Sequence, residues 1–269
     1  MILSRGVRYL LRYIALAYLF LLLIVPVGLI LFRTFQPGVG AFVESITTPA
    51  AISALQLSLL VVAIVVPLNV IFGVPTALVL ARNRFRGKGA LQAMIDLPFA
   101  VSPVVVGVAL ILLWGSAGFL GFVENDFGLK IIFGFPGIVL ASIFVTVPFV
   151  IREVEPVLHE LGTDQEEAAA TLGSDWWQTF WRITLPSIRW GLTYGVVLTV
   201  ARTLGEFGAV IMVSAGVAGE SQTLTLLVHS RYIDDHNVFG AYAASTLLMI
   251  LAIITLLLMT VLDRKRNAT

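Results

Sequence analysis

Residues 166–186 read EEAAATLGSDWWQTFWRITLP, and this stretch is the longest polar interruption in a chain that is otherwise mostly apolar. Thr163 and the glutamate three residues after it have the spacing of a capping box, which predicts that a short helix begins here. Gly173 suits the left-handed residue that ends such a helix, and Ser174 is predicted to cap a second one. Pro186 is expected to end or kink that second helix. The stretch therefore predicts a helix, a glycine turn and a helix in water between two apolar segments.

Aromatic side chains recur on the second predicted helix. Trp176 and Phe180 are four residues apart, as are Trp177 and Trp181, so the members of each pair lie on the same helix face. Tryptophans often anchor helices at a membrane surface, and exposed aromatic residues are also typical of protein–protein interfaces. Both interpretations, a membrane anchor and a docking surface for another protein, remain open from the spacing alone.

The composition predicts a polytopic membrane protein. Of the 269 residues, 58% are hydrophobic and 12% are charged, and the mean hydropathy is +0.97. Soluble domains have about 25% charged residues. The sequence has no cysteine, which excludes disulfides and cysteine-bound metal centres. It also has no phosphate-binding loop of the G-x-x-x-x-G-K-[ST] type, so ATP would have to be bound by a separate chain.

Apolar segments long enough to cross a bilayer as helices recur along the chain, since about 20 residues suffice for a crossing. They predict an all-α protein with six transmembrane helices, the first of them uncleaved, at residues 10–32, 55–80, 91–114, 131–151, 188–213 and 242–262. The predicted organisation is an N-terminal anchor helix with its outer loop (1–50), a transmembrane core (51–262) that includes a hairpin at 163–186, and a short basic tail (263–269).

The distribution of basic residues predicts the orientation. Thirteen lysines and arginines fall in the segments on one side of the membrane, whereas the other side has only Arg33, Lys130 and Arg231. Basic residues are concentrated in cytoplasmic segments. We therefore expect both termini and the hairpin 163–186 to be cytoplasmic.

Ionisable residues inside predicted spans are the first candidates for a functional role. Arg202 and Glu206 are four residues apart on the fifth span, within reach of an ion pair. Either the pair neutralises itself and holds helices together, or Arg202 attracts an anion that Glu206 helps to position. Asp96 lies about five residues into its span, close enough to the interface for a structural role.

Prolines interrupt the third span. Pro98, Ser102 and Pro103 lie in the run DLPFAVSP at residues 96–103. A broken helix in a membrane is tolerated where its backbone is satisfied by neighbouring protein or lines a cavity. The run predicts either a bend required for packing or backbone that lines a transport pathway.

The spacing within the hairpin resembles the EAA loop of the permeases of bacterial ABC importers. The pattern is Glu-Ala-Ala, three residues, Gly, nine residues, then Ile-x-Leu-Pro. In that family the loop is the coupling helix, which sits in a groove of the ATP-hydrolysing subunit. The resemblance implies an ATPase-coupling role for the matching residues, which are Glu167, Ala168, Ala169, Gly173, Ile183, Leu185 and Pro186.

Further runs resemble the CysW-type permeases of sulfate and thiosulfate importers, namely residues 66–73, 95–104, 144–150 and 205–209. Molybdate and tungstate permeases share the Gly-Glu-Phe-Gly run, so they remain an alternative. The resemblance implies the type I ABC importer permease fold in the cytoplasmic (inner) membrane of a bacterium. It also implies no enzyme activity in this chain, with ATP and Mg on the partner ATPase, and three kinds of protein partner: an ATP-binding subunit dimer, a second permease of the sulfate T type that forms a heterodimer, and an extracytoplasmic sulfate-binding protein.

Other classes fit less well. A secondary transporter or channel that acts without an ATPase often contains inverted repeats, and no clear repeat is visible here. An intramembrane enzyme would need a nucleophile with its base, or metal ligands, at membrane depth, whereas all three histidines lie outside the predicted spans. Residues 214–240 are expected to form a solvated outer loop without a metal site. This loop is also expected to contain either a re-entrant segment near the outer mouth or a docking face for an extracytoplasmic partner. Neither cofactor nor nucleic acid is expected to bind this chain.

Overall fold

The computed structural model of the chain describes residues 5–266, and the side chains of residues 6–260. Within this range the chain is helical, without β-strands. Three π-helical turns, Phe20–Ile24, Phe180–Thr184 and Ser230–Asp234, join or extend the helices. The α-helices are α1 (Arg5–Leu19), α2 (Val25–Phe35), α3 (Val39–Ile46), α4 (Pro49–Arg82), α5 (Lys88–Ala100), α6 (Pro103–Trp114), α7 (Phe122–Asn125), α8 (Phe135–Leu161), α9 (Asp164–Thr171), α10 (Trp176–Thr179), α11 (Leu185–Leu204), α12 (Gly208–Val213), α13 (Leu224–His229) and α14 (Val238–Arg266).

Four helical segments in the described part of the chain are long and apolar enough to cross a membrane: Gly6–Phe35, Pro49–Arg82, Phe135–Leu161 and Val238–Thr260. Helices α5 and α6, which are bent by 113° relative to each other, would add a fifth span if together they cross the membrane once. The fifth predicted span, residues 188–213, is divided into α11 and α12 by a break at residues 205–207. The all-helical architecture is confirmed, whereas the count of six spans and the side of the termini stay predictions.

The N-terminal anchor helix lies at the edge of the structure. The apolar window of its α1–α2 segment has no buried residue. The α2 residue Thr34 is buried against α14, where its hydroxyl is 2.8 Å from that of Thr246. At the other end of the chain α14 extends to Arg266, into the predicted basic tail, and residues 267–269 lie outside the described range.

The core is formed by α4, α8 and α11, which pack closely because small residues lie at their contacts. A Cβ atom on Gly73 would lie 2.8 Å from Val150 Cγ1, and one on Gly191 would lie 2.7 Å from the carbonyl oxygen of Glu153. Glycine at such positions lets helix backbones approach each other in a membrane. Leu80 and Ile188 are fully buried in the resulting cluster, which lies next to the helix ends that carry the hairpin.

The segment 214–237 is only partly solvated, which corrects the prediction of a solvated outer loop. Its short helix α13 is largely buried, and Arg231 is buried as well, whereas residues 232–238 are exposed. Arg231 donates to the carbonyl oxygens of Ser45 (3.1 Å) and Gly240 (3.0 Å) and to the hydroxyl of Thr48 (2.8 Å). Burial lowers the pKa of the Arg231 guanidinium, and the charge of nearby Asp235 opposes that shift. The arginine thus joins this segment to the end of α3 and to the starts of α4 and α14.

Replacing Arg231 with alanine should lower the free energy of unfolding by about 1 kcal/mol, because the lost hydrogen bonds are partly offset by relief from burying a charge. Thermal unfolding of the purified protein in detergent measures the change. Arg33→Ala is the matched control, since Arg33 is an exposed arginine. Equal melting temperatures for the two variants would contradict the anchoring role.

Candidate functional site

The first helix of the hairpin, α9, ends in a Schellman motif at the predicted glycine. The amide of Ser174 donates to the carbonyl of Ala169 and that of Gly173 to the carbonyl of Ala170, both at 3.0 Å. Gly173 has φ of +85°, a left-handed conformation that glycine adopts at little cost. The predicted glycine turn is confirmed.

The predicted caps of the hairpin are wrong. Thr163 has φ −108° and ψ −5°, outside the extended conformation of a typical N-cap, and its side chain does not cap α9. Its hydroxyl instead donates to the carboxylate of Glu167 (2.6 Å). Ser174 lies inside the Schellman motif, so the next residue, Asp175, caps the second helix by accepting from the amide of Gln178 (2.7 Å).

Pro186 does not end the second helix. Helix α10 continues through the π-helical turn Phe180–Thr184 into α11, and the proline lies in the first turn of α11. Proline inside a helix removes an amide donor and crowds the carbonyl four residues earlier. The wider π turn is the local adjustment that lets the helix continue, so the hairpin is joined to α11 without a flexible linker.

The four aromatic residues form one cluster, as their spacing predicts. The rings of Trp176 and Phe180 are stacked with centroids 5.7 Å apart, and those of Trp177 and Trp181 meet edge to face at 5.6 Å. Phe180 is half-buried and packs against the core, whereas the three tryptophans are 51–71% exposed. The exposed indoles suit either a membrane surface or a partner protein, and both interpretations stay open.

The residues of the EAA pattern are divided between the exposed and the buried side of the hairpin. Glu167, Ala168, Gly173 and Pro186 are exposed, Ile183 and Leu185 are half-buried, and Ala169 is buried. Ala168 on α9 and Gly173 at the turn add little side-chain bulk to this exposed surface, and Glu167 adds a polar side chain. Ala169 packs inside the chain, so it supports the hairpin rather than presenting a contact surface.

Arg82, at the end of α4, is a functional candidate that the sequence reasoning missed. Its Nη2 atom donates to Glu166 Oε1 and its Nε atom lies near Oε2, both at 3.1 Å. Its Nη1 atom donates to the carbonyl of Leu158 (2.8 Å), and the hydroxyl of Thr184 also donates to Glu166 (2.9 Å). The sequence marks Arg82 only as one of several basic residues after a span.

A largely apolar cavity of about 910 Å³ separates α4 from the aromatic helix of the hairpin. Val70, Val74 and Leu78 line it from α4, and Trp177 and Phe180 line it from the hairpin. Arg82 and Glu166 also contribute to the wall. The hairpin therefore contacts α4 over a limited area, part of which is the ion pair of Arg82 and Glu166.

Arg202 and Glu206 form the predicted ion pair, with Arg202 Nη2 2.9 Å from Glu206 Oε2. The expectation that both lie on one continuous helix is wrong, because α11 ends at Leu204. Glu206 lies in the break, where it is buried and its other oxygen accepts from the amide of Ala209 (2.9 Å). One carboxylate thus caps α12 and pairs with an arginine of α11.

The other predicted break is also present, between α5 and α6. Pro98 is buried near the end of α5, Ser102 precedes α6, and Pro103 is its first residue. A Cβ atom on Gly208 would lie 3.1 Å from Cβ of Pro103. The two helix breaks therefore lie against each other, which the sequence did not indicate.

Asp96 does not simply reach towards water, because it pairs with Arg152 of α8. The Nε and Nη2 atoms of Arg152 both donate to the carboxylate of Asp96, and Nε is 2.8 Å from Oδ1. The two side chains are only half-buried. This pair joins α5 to α8, in agreement with the structural role predicted for Asp96.

Comparison with known proteins identifies a family for this fold and hairpin. The profile described as "Binding-protein-dependent transport system inner membrane component" matches residues 73–268. The sulfate transport system permease protein CysW of Synechocystis sp. is 47% identical over 259 residues, which cover 96% of this chain and 94% of that protein. The CysT permease of Escherichia coli is 36% identical over 247 residues, covering 90% of this chain and 89% of the relative.

Among solved structures, a chain of a bacterial alginate ABC transporter, determined with an alginate pentasaccharide-bound periplasmic protein, has a similar fold. Its TM-score is 0.76 at 18% sequence identity, with 98% of this chain and 96% of the other covered. At this identity the likeness concerns the fold alone.

Proposed function

Because the chain belongs to the binding-protein-dependent transport system inner membrane components, we propose that it is a permease subunit of an ATP-driven importer of sulfate and thiosulfate. It is a transport subunit and not an enzyme. The single observation that carries the coupling role is the hairpin, in which Glu167 and Ala168 are exposed on α9 and Gly173 is exposed at the turn, while the hairpin follows α8 closely and leads directly into α11.

The proposed arrangement has six transmembrane helices, two of them broken, in the cytoplasmic membrane of a bacterium. Both termini and the hairpin lie on the cytoplasmic side, in agreement with the excess of basic residues there. The α5–α6 pair forms the third span and α11–α12 the fifth. The hairpin then projects into the cytoplasm, where an ATP-hydrolysing subunit can bind it.

The proposed partners follow from the relatives. An ATPase dimer, which holds ATP and Mg, docks on the hairpin. The similarity to a CysT permease supports a heterodimer with a second permease of that type. The description of the family as a binding-protein-dependent transport system supports an extracytoplasmic binding protein above the membrane, which in the proposed assembly binds sulfate. This chain itself holds no cofactor in the proposed assembly.

The geometry suggests how motion passes from the ATPase to the membrane. Helix α8 leads into the hairpin after Leu161, and the π turn leads from the hairpin into α11. When the ATPase dimer closes on ATP, a displaced hairpin pulls on both helices at once. Since α8 and α11 pack through glycine contacts in the core, they move as a unit and turn the pathway from inward- to outward-facing.

We place the anion pathway beside the two helix breaks. The break between Ala100 and Pro103 interrupts the regular backbone hydrogen bonds within the membrane, at the seam with α12. There, Arg202 remains partly exposed while its partner Glu206 is buried. The arginine is the cationic group at this seam, whereas Glu206 serves the packing of α12.

Transport assays test the proposal. The chain should be expressed with its ATPase, second permease and binding protein in bacteria that lack their own sulfate importer. We expect uptake of labelled sulfate that disappears when the ATPase subunit is omitted, and that excess molybdate leaves unchanged. Uptake that persists without the ATPase would support a channel or secondary transporter. Uptake of molybdate but not of sulfate would show that molybdate, and not sulfate, is the substrate.

A further inference from the structure

Two of the three core helices are joined to the hairpin by the backbone, and the third is not. Helix α8 enters it and α11 leaves it, so both must follow its motion. Helix α4 packs against both of them but ends at Arg82, far from the hairpin in sequence. A movement of the hairpin reaches α4 only through contacts in space.

Arg82 supplies the polar contact at the end of α4 nearest the hairpin, and a second hydrogen bond, from Asn69 to the hydroxyl of Thr146, joins α4 to α8 further along the helix. Its guanidinium bridges the carbonyl of Leu158 at the end of α8 and both oxygens of Glu166 in α9. The side chains of Arg82 and Glu166 are only 17% and 24% exposed. This mostly buried, two-point contact, in which one nitrogen donates to Leu158 and another to Glu166, fixes orientation as well as distance.

The bridge reaches the other end of the hairpin as well. The hydroxyl of Thr184, in the π turn before α11, donates to the same Glu166 oxygen that accepts from Arg82. One carboxylate therefore connects α4, α9 and the start of α11. The nearby apolar contacts of Phe180 and Leu185 complete this junction, and the 910 Å³ cavity keeps much of the aromatic helix away from α4.

We propose that Arg82 is a positioning residue that couples α4 to the hairpin through Glu166, so that all three core helices respond to the ATPase together. This inference rests on the proposed coupling role of the hairpin. Without the bridge, the hairpin would still be moved by the ATPase and would carry α8 and α11, but the end of α4 at Arg82 would follow only through its packing against α8. ATP would then be hydrolysed with little sulfate transported.

The test compares sulfate transport with ATP hydrolysis in the complete complex, reconstituted in liposomes with the binding protein. For Arg82→Ala we expect the sulfate transported per ATP to fall about fivefold, the size typical of a lost coupling contact. Arg82→Lys should recover part of it, since lysine cannot donate in the two-point geometry. Arg84→Ala, which removes an exposed arginine two residues later, should match the unmodified protein.

A distance measurement separates positioning from general loss of stability. The chain contains no cysteine, so spin labels can be placed at Val79 of α4 and Gln178 of the hairpin, both exposed. In the otherwise unmodified complex the distance distribution should stay narrow with and without ATP. In the Arg82→Lys variant, chosen because it preserves the charge and the fold, it should broaden when ATP is bound.

The outcomes distinguish this inference from the proposed function. If Arg82→Ala and Arg82→Lys both keep the normal ratio and distance distribution while Gly173→Val loses stimulation of the ATPase, the hairpin couples and the role of Arg82 is refuted. If Gly173→Val also behaves normally, the coupling function itself fails. A fall in transport that is matched by equal falls in ATP hydrolysis and melting temperature would show that Arg82 is merely structural.

Discussion

Gly173→Val should abolish most of the stimulation of ATP hydrolysis by the binding protein. We expect about a tenfold fall, because a β-branched residue in the left-handed conformation costs roughly 1–2 kcal/mol and opens the Schellman turn. The glycine has φ of +85° and nothing within 4 Å of where its Cβ would lie. The effect would therefore arise from the backbone and not from crowding inside this chain.

Gly173→Asn is the matched control. Asparagine is close to valine in size but tolerates the left-handed conformation far better. Stimulation within about twofold of normal is expected for it. The measurement is the ATPase rate of the purified complex in liposomes, with and without loaded binding protein. Equal loss in both variants would show that bulk at the docking surface matters rather than the turn, and normal stimulation in both would count against the hairpin as the coupling element.

Arg202→Ala should destabilise the folded permease by about 3 kcal/mol, less than for a fully buried pair since Arg202 is partly exposed. The variant leaves the carboxylate of Glu206 buried without its counter-charge. The carboxylate cannot turn to water easily, because its other oxygen holds the amide of Ala209. Yield and thermal unfolding of the permease in detergent are the measurements, with Arg202→Lys as the charge-preserving control.

The double variant Arg202→Ala with Glu206→Gln decides between the two interpretations of this pair. The glutamine oxygen can still accept from Ala209, and no charge remains buried, so yield and melting temperature should recover. Recovery of sulfate uptake as well would assign the pair to folding alone. Folded protein that does not transport would place Arg202 on the anion pathway. Failure of the double variant to recover stability would contradict the buried-charge explanation.

Short-range features of this chain could be predicted because neighbours along the sequence determine them. The left-handed turn at Gly173 could be predicted because glycine adopts a positive φ more easily than other residues. The aromatic cluster follows from a spacing of four residues on a helix. The break near Ser102 likewise follows from local prolines, whereas the break at residues 205–207 lies inside a segment that the sequence predicts as one continuous span. Even here the exact caps were wrong, because the hydroxyl of Thr163 bonds to the side chain of Glu167 and Asp175 takes the capping position predicted for Ser174.

A helical membrane protein with a polar hairpin of the EAA type could be predicted from the amino-acid sequence, since hydrophobic length and local spacing are properties of contiguous residues. Which charges meet became visible from the packing of the helices. Arg82 reaches Glu166 across 84 residues, and Arg152 reaches Asp96 across 56. Such pairs depend on how helices pack and rotate against one another, and one sequence of apolar helices is compatible with many packings. The junction that joins the hairpin to α4 was therefore visible only once the helices were in place.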